Sequence, residues 1–390
     1  MARGHHCGGG LGTAGLSRQA AFVVAPSQPC GADSAARLRR ASGRVARGPR
    51  FHAIAWCAGL VVAGAWLTAS AQVEFRPPPW PERPAVMEDP GASAGVGEAV
   101  APAAEPRVAA TWLEVQVALA QRGFSSGSID GTPGPQTRAA LRAFQESEAL
   151  GLTGEWDEAT RARLTLLRTP LAEVTLREED LAGLSPLGAT WLEKSQQPSL
   201  AHETLLERIA ERFRAHPRLL QRINPAFDWP RAVPGARVTV PDVESRRRLP
   251  SPAHLHIRLA ERVLQARDAR GAIVFHCPVS IARDVAKRPV GELRVTVVIP
   301  DPDYTFKPET FPESEEGRRL GRRLMIPPGP NNPVGVAWIG LDRPGYGLHG
   351  TPSPEQVGRT ESHGCFRLAN WDARTLLQLA WVGLPVRVEP

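Results

Sequence analysis

Near His254 the apolar pattern of this chain changes period, and that change constrains the fold more than any other feature. Upstream, apolar residues recur every third or fourth position, as in "TLLERIAERFRAHPRLLQRINP", where Leu205, Ile209 and Phe213 share one helical face. Downstream they alternate. In "IVFHCPVSI", Ile273, Phe275, Cys277, Val279 and Ile281 fall on one parity, and in "LRVTVVI" Leu293, Val295, Val297 and Ile299 repeat it. Successive side chains of a strand point to opposite faces, so both runs predict a half-buried sheet. "VAWIGL" and "LPVRVEP" supply further strands, making residues 254–388 a mainly β domain. Cys277 sits at the apolar parity and reads as a small buried hydrophobe.

The helical part divides in two. "TWLEVQVALAQRG" spaces Thr111 and Glu114 as a capping box, puts Trp112, Val115 and Leu119 on one face, and ends near Gly123. "SIDGTPGPQTRAALRAFQ" then offers an Asp-Gly turn and a helix carrying Leu141 and Phe144, and "TGEWDEATRARL" starts a third. Residues 111–167 therefore read as a small all-α, three-helix domain with Trp112, Leu141 and Phe144 in its core, separable from whatever follows. Residues 200–243 end in the strand-like "VPGARVTVPDV" and form an α-then-β unit between the two domains.

The amino-terminal third carries an address. "FHAIAWCAGLVVAGAWLTASAQVEF" has no charge between Arg50 and Glu74, follows the basic "RVARGPR", and contains Ala69-Ser70-Ala71. A basic flank, an apolar run and a small-x-small ending are the marks of a signal peptide over 51–71, and the length also suits a retained anchor. Export to the periplasm or cell envelope is expected either way. Residues 1–50 read as an extension without a fold, and the Pro/Ala/Gly-rich residues 72–110 as a linker.

Charge excludes one class of partner. The formal net charge is +7, but residues 1–50 hold eight arginines and one aspartate, so that segment accounts for all of it. The remainder is balanced, and nucleic acid is set aside. Three of the five cysteines, Cys7, Cys30 and Cys57, lie in or before the export segment, which leaves Cys277 and Cys365 and excludes a disulfide scaffold.

Cys365 falls in "YGLHGTPSPEQVGRTESHGCFRLANWDA", a stretch of turn residues that also holds His349 and His363. Loops on rigid sheets are where chemistry is placed. A thiol needs a base or a cation to become a nucleophile, and either histidine can supply one. Gly364 leaves room beside the sulfur for the backbone N–H groups of 363–365 to converge on an oxyanion. The following helix begins near Asn370, expected at its N-cap, with Leu376, Leu377 and Ala380 turned inward. A closed zinc site would need four ligands, and no second cysteine or third histidine lies nearby.

"GYGLHGTPSPEQVGRTESHGCFRLANWDA", preceded by "PPGPNNPVGVAWIGL", resembles the L,D-transpeptidase (YkuD-type) catalytic domain, a β-sandwich, over about 254–388. The resemblance implies Cys365 as nucleophile, His349 as general base, the Gly350 carbonyl as its orienting acceptor, and backbone N–H donors at His363, Gly364 and Cys365. Arg367 and Ser362 would face the substrate, and no cofactor or metal is implied. Arg288 in "KRPVGE" departs from the family's usual threonine. "GSIDGTPGPQTRAALRAFQ" with "GLTGEWDEATRARL" resembles the three-helix peptidoglycan-binding domain, and 200–243 distantly resembles a LysM module. The implied partner is peptidoglycan, its stem peptides and the sacculus. The implied reaction forms a thioester at the third stem residue, releases D-alanine and passes the acyl group to an amine. The acceptor could be another stem, a lysine of an outer-membrane or cell-wall protein, or water, the last making a carboxypeptidase. NlpC-type cysteine peptidases place Cys before His, the reverse of the order here, and the intact His349, His363, Gly364, Cys365 set speaks against a catalytically silent wall binder.

Overall fold

The computed structural model describes residues 107–243, 248–310, 314–360 and 364–390. The expectations for 1–50, the signal segment 51–71 and most of the linker 72–110 lie outside these residues, as do Ser362 and His363.

The first unit runs β1 (Arg107–Val108), α1 (Trp112–Gln121), α2 (Pro135–Ser147), α3 (Glu158–Arg163) and β2 (Thr165–Leu166), with β1 and β2 paired antiparallel. Thr111 caps α1 by accepting from Glu114 N–H at 3.3 Å, but the Glu114 carboxylate turns to Ala110 N–H and Arg107 instead of closing the expected box. Two buried glutamines organise the turns. Gln116 accepts from Gly131 N–H at 2.8 Å across the Asp-Gly turn and donates to Thr137 Oγ1 at 3.1 Å, while Gln145 accepts from Gly154 N–H and donates to Thr160 Oγ1, each at 2.8 Å. A buried amide that uses both ends is satisfied and ties two helices to one loop.

The second unit is β3 (Leu171–Thr175), α4 (Glu178–Leu181), α5 (Trp191–Gln196), α6 (Leu205–Arg212), α7 (Pro217–Ile223) and β4 (Arg237–Pro241). Its strand β4 pairs antiparallel with β3, which the sequence reading left outside the 200–243 boundary. The expected gap between the two helical units is absent. Val115, Leu119, Leu141 and Phe144 share one apolar cluster with Ile209, Phe213, Leu220 and Val238, and Ile129 pairs with Arg214 and His216 through backbone bonds of 2.8 Å.

The third unit comprises β5 (His254–Arg258), β6 (Val263–Arg267), β7 (Ile273–Pro278), β8 (Gly291–Pro300), β9 (Tyr304–Phe306), α8 (Glu315–Leu320), β10 (Leu324–Ile326), β11 (Ala337–Leu341), β12 (Gly347–His349), β13 (Phe366–Arg367), α9 (Asn370–Leu379) and β14 (Pro385–Glu389). Eight strands form one sheet in the order β13-β12-β11-β8-β14-β5-β6-β7. The sheet curls so far that its ends meet: Ser280, just past β7, exchanges backbone bonds of 2.9 and 3.0 Å with Arg367 of β13. The two layers of the sandwich are thus one sheet folded over a core of Leu255, Phe275, Cys277, Ile339, Leu348, Phe366, Leu376 and Val386.

Past a bulge that turns Ile273 to the helical core, the alternation read from "IVFHCPVSI" holds, with Phe275, Cys277, Val279 and Ile281 buried in the core of the sheet. In β8 it does not. Gly340 pairs with Val297 but Leu341 with Val295, so a bulge shifts the parity by one residue. Beyond it Val298 packs into the core and Ile299 is 39% exposed. The β9–β10 hairpin stands apart from the large sheet and is clasped by α5. Trp191 stacks on Phe306 at 4.4 Å and 17°, and the Glu316 carboxylate of α8 accepts from Trp191 and Leu192 N–H at 2.8 and 2.9 Å.

Candidate functional site

Three adjacent strands carry the site on the face opposite the core. Across β11, β12 and β13 the register aligns Trp338 with His349 and His349 with Arg367, while Ile339, Leu348 and Phe366 face inward. Cys365 lies two residues before Arg367 and takes the same parity as His349. Diagonal neighbours on such a ladder are roughly 7–8 Å apart at Cα, within reach of an imidazole and a thiol.

Each ring nitrogen of His349 has a distinct setting. Nδ1 lies 2.6 Å from the Gly350 carbonyl oxygen, which can only accept, so Nδ1 carries the proton and Nε2 keeps its lone pair. Trp338 stacks on the ring at 5.9 Å and 24°. That indole has room because Gly347 lacks a Cβ, which would come within 2.8 Å of it. His349 is only 5% exposed, and burial pushes its imidazole down to about 4, with the Gly350 carbonyl opposing and Arg367 adding to the fall.

Cys365 is half-buried and its Sγ donates to the Gly345 carbonyl at 3.4 Å. Burial raises its thiol above the ordinary value, while the Gly347 backbone and the Arg367 guanidinium oppose that rise. At neutral pH the site therefore rests as a neutral thiol beside a neutral imidazole rather than as a preformed ion pair. Tyr304 of β9 also acts electrostatically on this group, being coupled to both Cys365 and Arg367. A Cβ at Gly364 would meet nothing within 4 Å beyond its own chain neighbours.

The loop behind His349 is built around one side chain. Asn370 was expected at the N-cap of α9, but Ala369 caps the helix and Asn370 is its first residue, fully buried. Its Oδ1 accepts from Thr351 N–H at 3.0 Å and Val336 N–H at 3.4 Å, and its Nδ2 donates to Glu211 Oε2 at 2.9 Å and the Pro330 carbonyl at 3.0 Å. Gly335, at φ +61°, and Gly350 press against this amide so closely that a Cβ at either would strike Oδ1. Arg288 donates to the Ala282 carbonyl at 2.8 Å.

The structure thus brings together His349, Gly350, Cys365 and Arg367, with Gly364 beside them. Sequence reasoning missed Trp338, Tyr304 and the inward role of Asn370. Trp338 left a trace: a lone aromatic at the outward parity, with Gly340 two residues on in its own strand and Gly347 on the neighbouring strand to receive it. Cys277 is buried and free, its thiol pushed well up first by burial and then by Asp372. Among the described residues no group of three or more His, Cys, Asp or Glu could hold a metal ion.

Two stretches of the chain match known families. The family model for the L,D-transpeptidase (YkuD) catalytic domain matches residues 252–388, and that for a "putative peptidoglycan binding domain" matches 109–164. A "putative L,D-transpeptidase YkuD" of Bacillus licheniformis is 24% identical over 47% of this chain and 93% of its own length. A "putative L,D-transpeptidase" from the ATP synthase subunits region of Fuscovulum blasticum is 33% identical over 30% of this chain and 57% of its own, so the chain spans little more than half of that relative. Among solved structures, an L,D-transpeptidase from Xylanimonas cellulosilytica aligns with 75% of this chain and 100% of its own at 17% identity and a TM-score of 0.31, from which no residue correspondence follows.

Proposed function

The chain carries a YkuD-type L,D-transpeptidase catalytic domain joined to a peptidoglycan-binding domain, and we propose that it transfers peptidoglycan stem peptides through a thioester on Cys365. The observation that carries this reading is the shared face of β12 and β13, with the His349 tautomer locked so that Nε2 is the free base. As the thiol attacks, the Cys365 proton passes to His349 Nε2 and the sulfur bonds to the carbonyl carbon of the third stem residue. The C–N bond to D-alanine breaks, and the imidazolium returns its proton to the leaving amine. An acceptor amine then attacks the thioester, gives up a proton to His349 and restores the thiol. The acceptor decides the product: a second stem gives a cross-link, a protein lysine gives anchoring, and water gives trimming.

Backbone N–H groups at Gly364 and Cys365, together with that of His363, are the donors for the oxyanion, and Arg367 is the cation that meets a substrate carboxylate or amide. Ser362 lies beside them in the sequence. The protein works outside the cytoplasm, supported by the basic, apolar and Ala69-Ser70-Ala71 pattern; amino-terminal sequencing of the exported form should begin near Gln72.

Incubation with a purified stem tetrapeptide should release D-alanine, and a carbapenem, whose strained carbonyl offers the same target, should add once to the chain by intact mass. Cys365→Ala should abolish both and leave Cys277 unlabelled, and His349→Ala should slow acylation about 100-fold. Labelling that survives Cys365→Ala, or turnover that requires zinc, would overturn the reading.

A further inference from the structure

We propose that Glu211, on α6 of the middle unit, is a positioning residue for His349, acting through Asn370 and the Gly350–Thr351 peptide. The proposal rests on His349 as the base and extends it to a residue 138 positions earlier in the chain, by 349 − 211. Four groups form one directed chain. His349 Nδ1–H donates to the Gly350 carbonyl at 2.6 Å. The other end of that same peptide unit, Thr351 N–H, donates to Asn370 Oδ1 at 3.0 Å. Asn370 Nδ2 donates to Glu211 Oε2 at 2.9 Å. Every bond points the same way and the last acceptor is a carboxylate. Hydrogen bonds arranged in series polarise one another, so the charge at Glu211 strengthens the pull on the His349 Nδ1 proton and makes Nε2 more basic.

The surroundings argue that this chain is a built relay. Asn370 is fully buried with both ends of its amide satisfied, so its plane cannot rotate without orphaning a buried donor or acceptor. Gly335 and Gly350 are shaped around its Oδ1. Glu211 is itself mostly covered, and its second oxygen faces His202 Nε2 at 3.6 Å, with Glu207 one helical turn earlier held by Asn331 at 2.7 Å. At the catalytic end the charged groups that face His349 are Arg367 and, through Arg367, Cys365. The cation lowers the basicity of His349 and the Glu211 relay opposes it. A catalytic domain alone cannot supply this carboxylate, because α6 lies outside residues 252–388.

The test compares the full chain with Glu211→Gln and Glu211→Ala. Glutamine keeps an oxygen for Asn370 but removes the charge, whereas alanine removes both. Carbapenem acylation against pH should show Glu211→Gln within about 3-fold of the parent plateau, its acid limb moved to lower pH, and Glu211→Ala about 10-fold or more below it. Proton NMR of the His349 Nδ1–H, assigned by its loss in His349→Ala, should show an upfield shift in both variants at neutral pH. The NMR readout does not need turnover, so it tests the relay even if Cys365 proved not to be acylated, which would instead count against the proposed function. An unmoved Nδ1–H resonance in both variants, or rate losses that merely track losses in melting temperature, would overturn the relay.

Discussion

Ser125, in the peptidoglycan-binding domain, donates its hydroxyl to the Asp372 carboxylate of α9 at 3.1 Å, at a site where Asp372 has no exposed surface. The contact is flanked by a backbone ladder in which Ser125 N–H donates to the His276 carbonyl at 2.8 Å and His276 N–H to the Gly123 carbonyl at 2.9 Å. Arg214 of the middle unit acts on the same carboxylate. Three segments that read as separate modules therefore converge on one acid.

Stability should depend on the protonation of Asp372. Burial pushes its carboxyl up to about 7, with Arg214 and the Ser125 hydroxyl opposing. A raised folded value means that the native state holds a proton the unfolded chain has already lost, so the contribution is full below about pH 4 and is lost as pH rises toward 7. A displacement of that size corresponds to on the order of 4 kcal/mol. Buried His349 titrates over the same window with the opposite sign, so the test is a difference: the parent should lose melting temperature relative to Asp372→Asn as pH rises from about 4 to 7. An unchanged slope in the variant would place the titration elsewhere.

Removing residues 109–164 should cost the catalytic domain its stability as well as its hold on the wall. The cut strips the ladder to His276, the Glu146 partner of Arg267 at 2.6 Å, and Gln136, which donates to the Val357 carbonyl. It also uncovers Ile273, which belongs to the helical core. Circular dichroism of the truncated chain should show a lower melting point, and turnover of a soluble tetrapeptide should fall with it. Full turnover together with lost sacculus pelleting would restore the separable reading. Ser125→Ala, a milder cut, should cost about 1–2 kcal/mol.

Trp338→Ala should slow acylation by about 10-fold, because it removes the surface on which His349 rests and leaves a gap over Gly340 and Gly347. Trp338→Phe, which keeps a flat ring, should recover most of the rate. Equal losses in both variants would mean that the stacking does not position the base.

The acid limb of acylation should lie near pH 4 and not near 6.5, since burial favours neutral His349 and Nε2 stays free down to about 4. Burial acts on stability in the same sense: the neutral form costs nothing at neutral pH, and stability is lost as pH falls from about 6.5 through 4. A limb near 6.5 would show that substrate or solvent reaches the ring more than its 5% exposure allows.

Much of this architecture is legible in local pattern. The period-two runs announced the sheet and buried Cys277 correctly, because the alternation of a strand is imposed residue by residue. The helices of 111–167 were readable for a similar reason, being built on caps, turns and one apolar face. The order His349, Gly350, Cys365, Arg367 marked the site because the elements that carry it, β12 and β13, are short and the residues lie within twenty positions of one another.

What the pattern could not contain was decided by contacts between distant positions. The β8 bulge arises from pairing with β11, and the segment around α5 carries no strong period because its order comes from Phe306 and Glu316. Asn370 looks like an N-cap to its neighbours, yet it turns inward because Glu211, 159 residues away, and two glycine-lined loops offer its amide four partners at once. The sequence determined which segments become strands and helices and pointed to the candidate residues His349, Gly350, Cys365 and Arg367. Only the tertiary structure decided which side chains Asn370 joins behind His349 and whether the modules are independent, because a buried polar group takes whichever partner satisfies it when packing removes water.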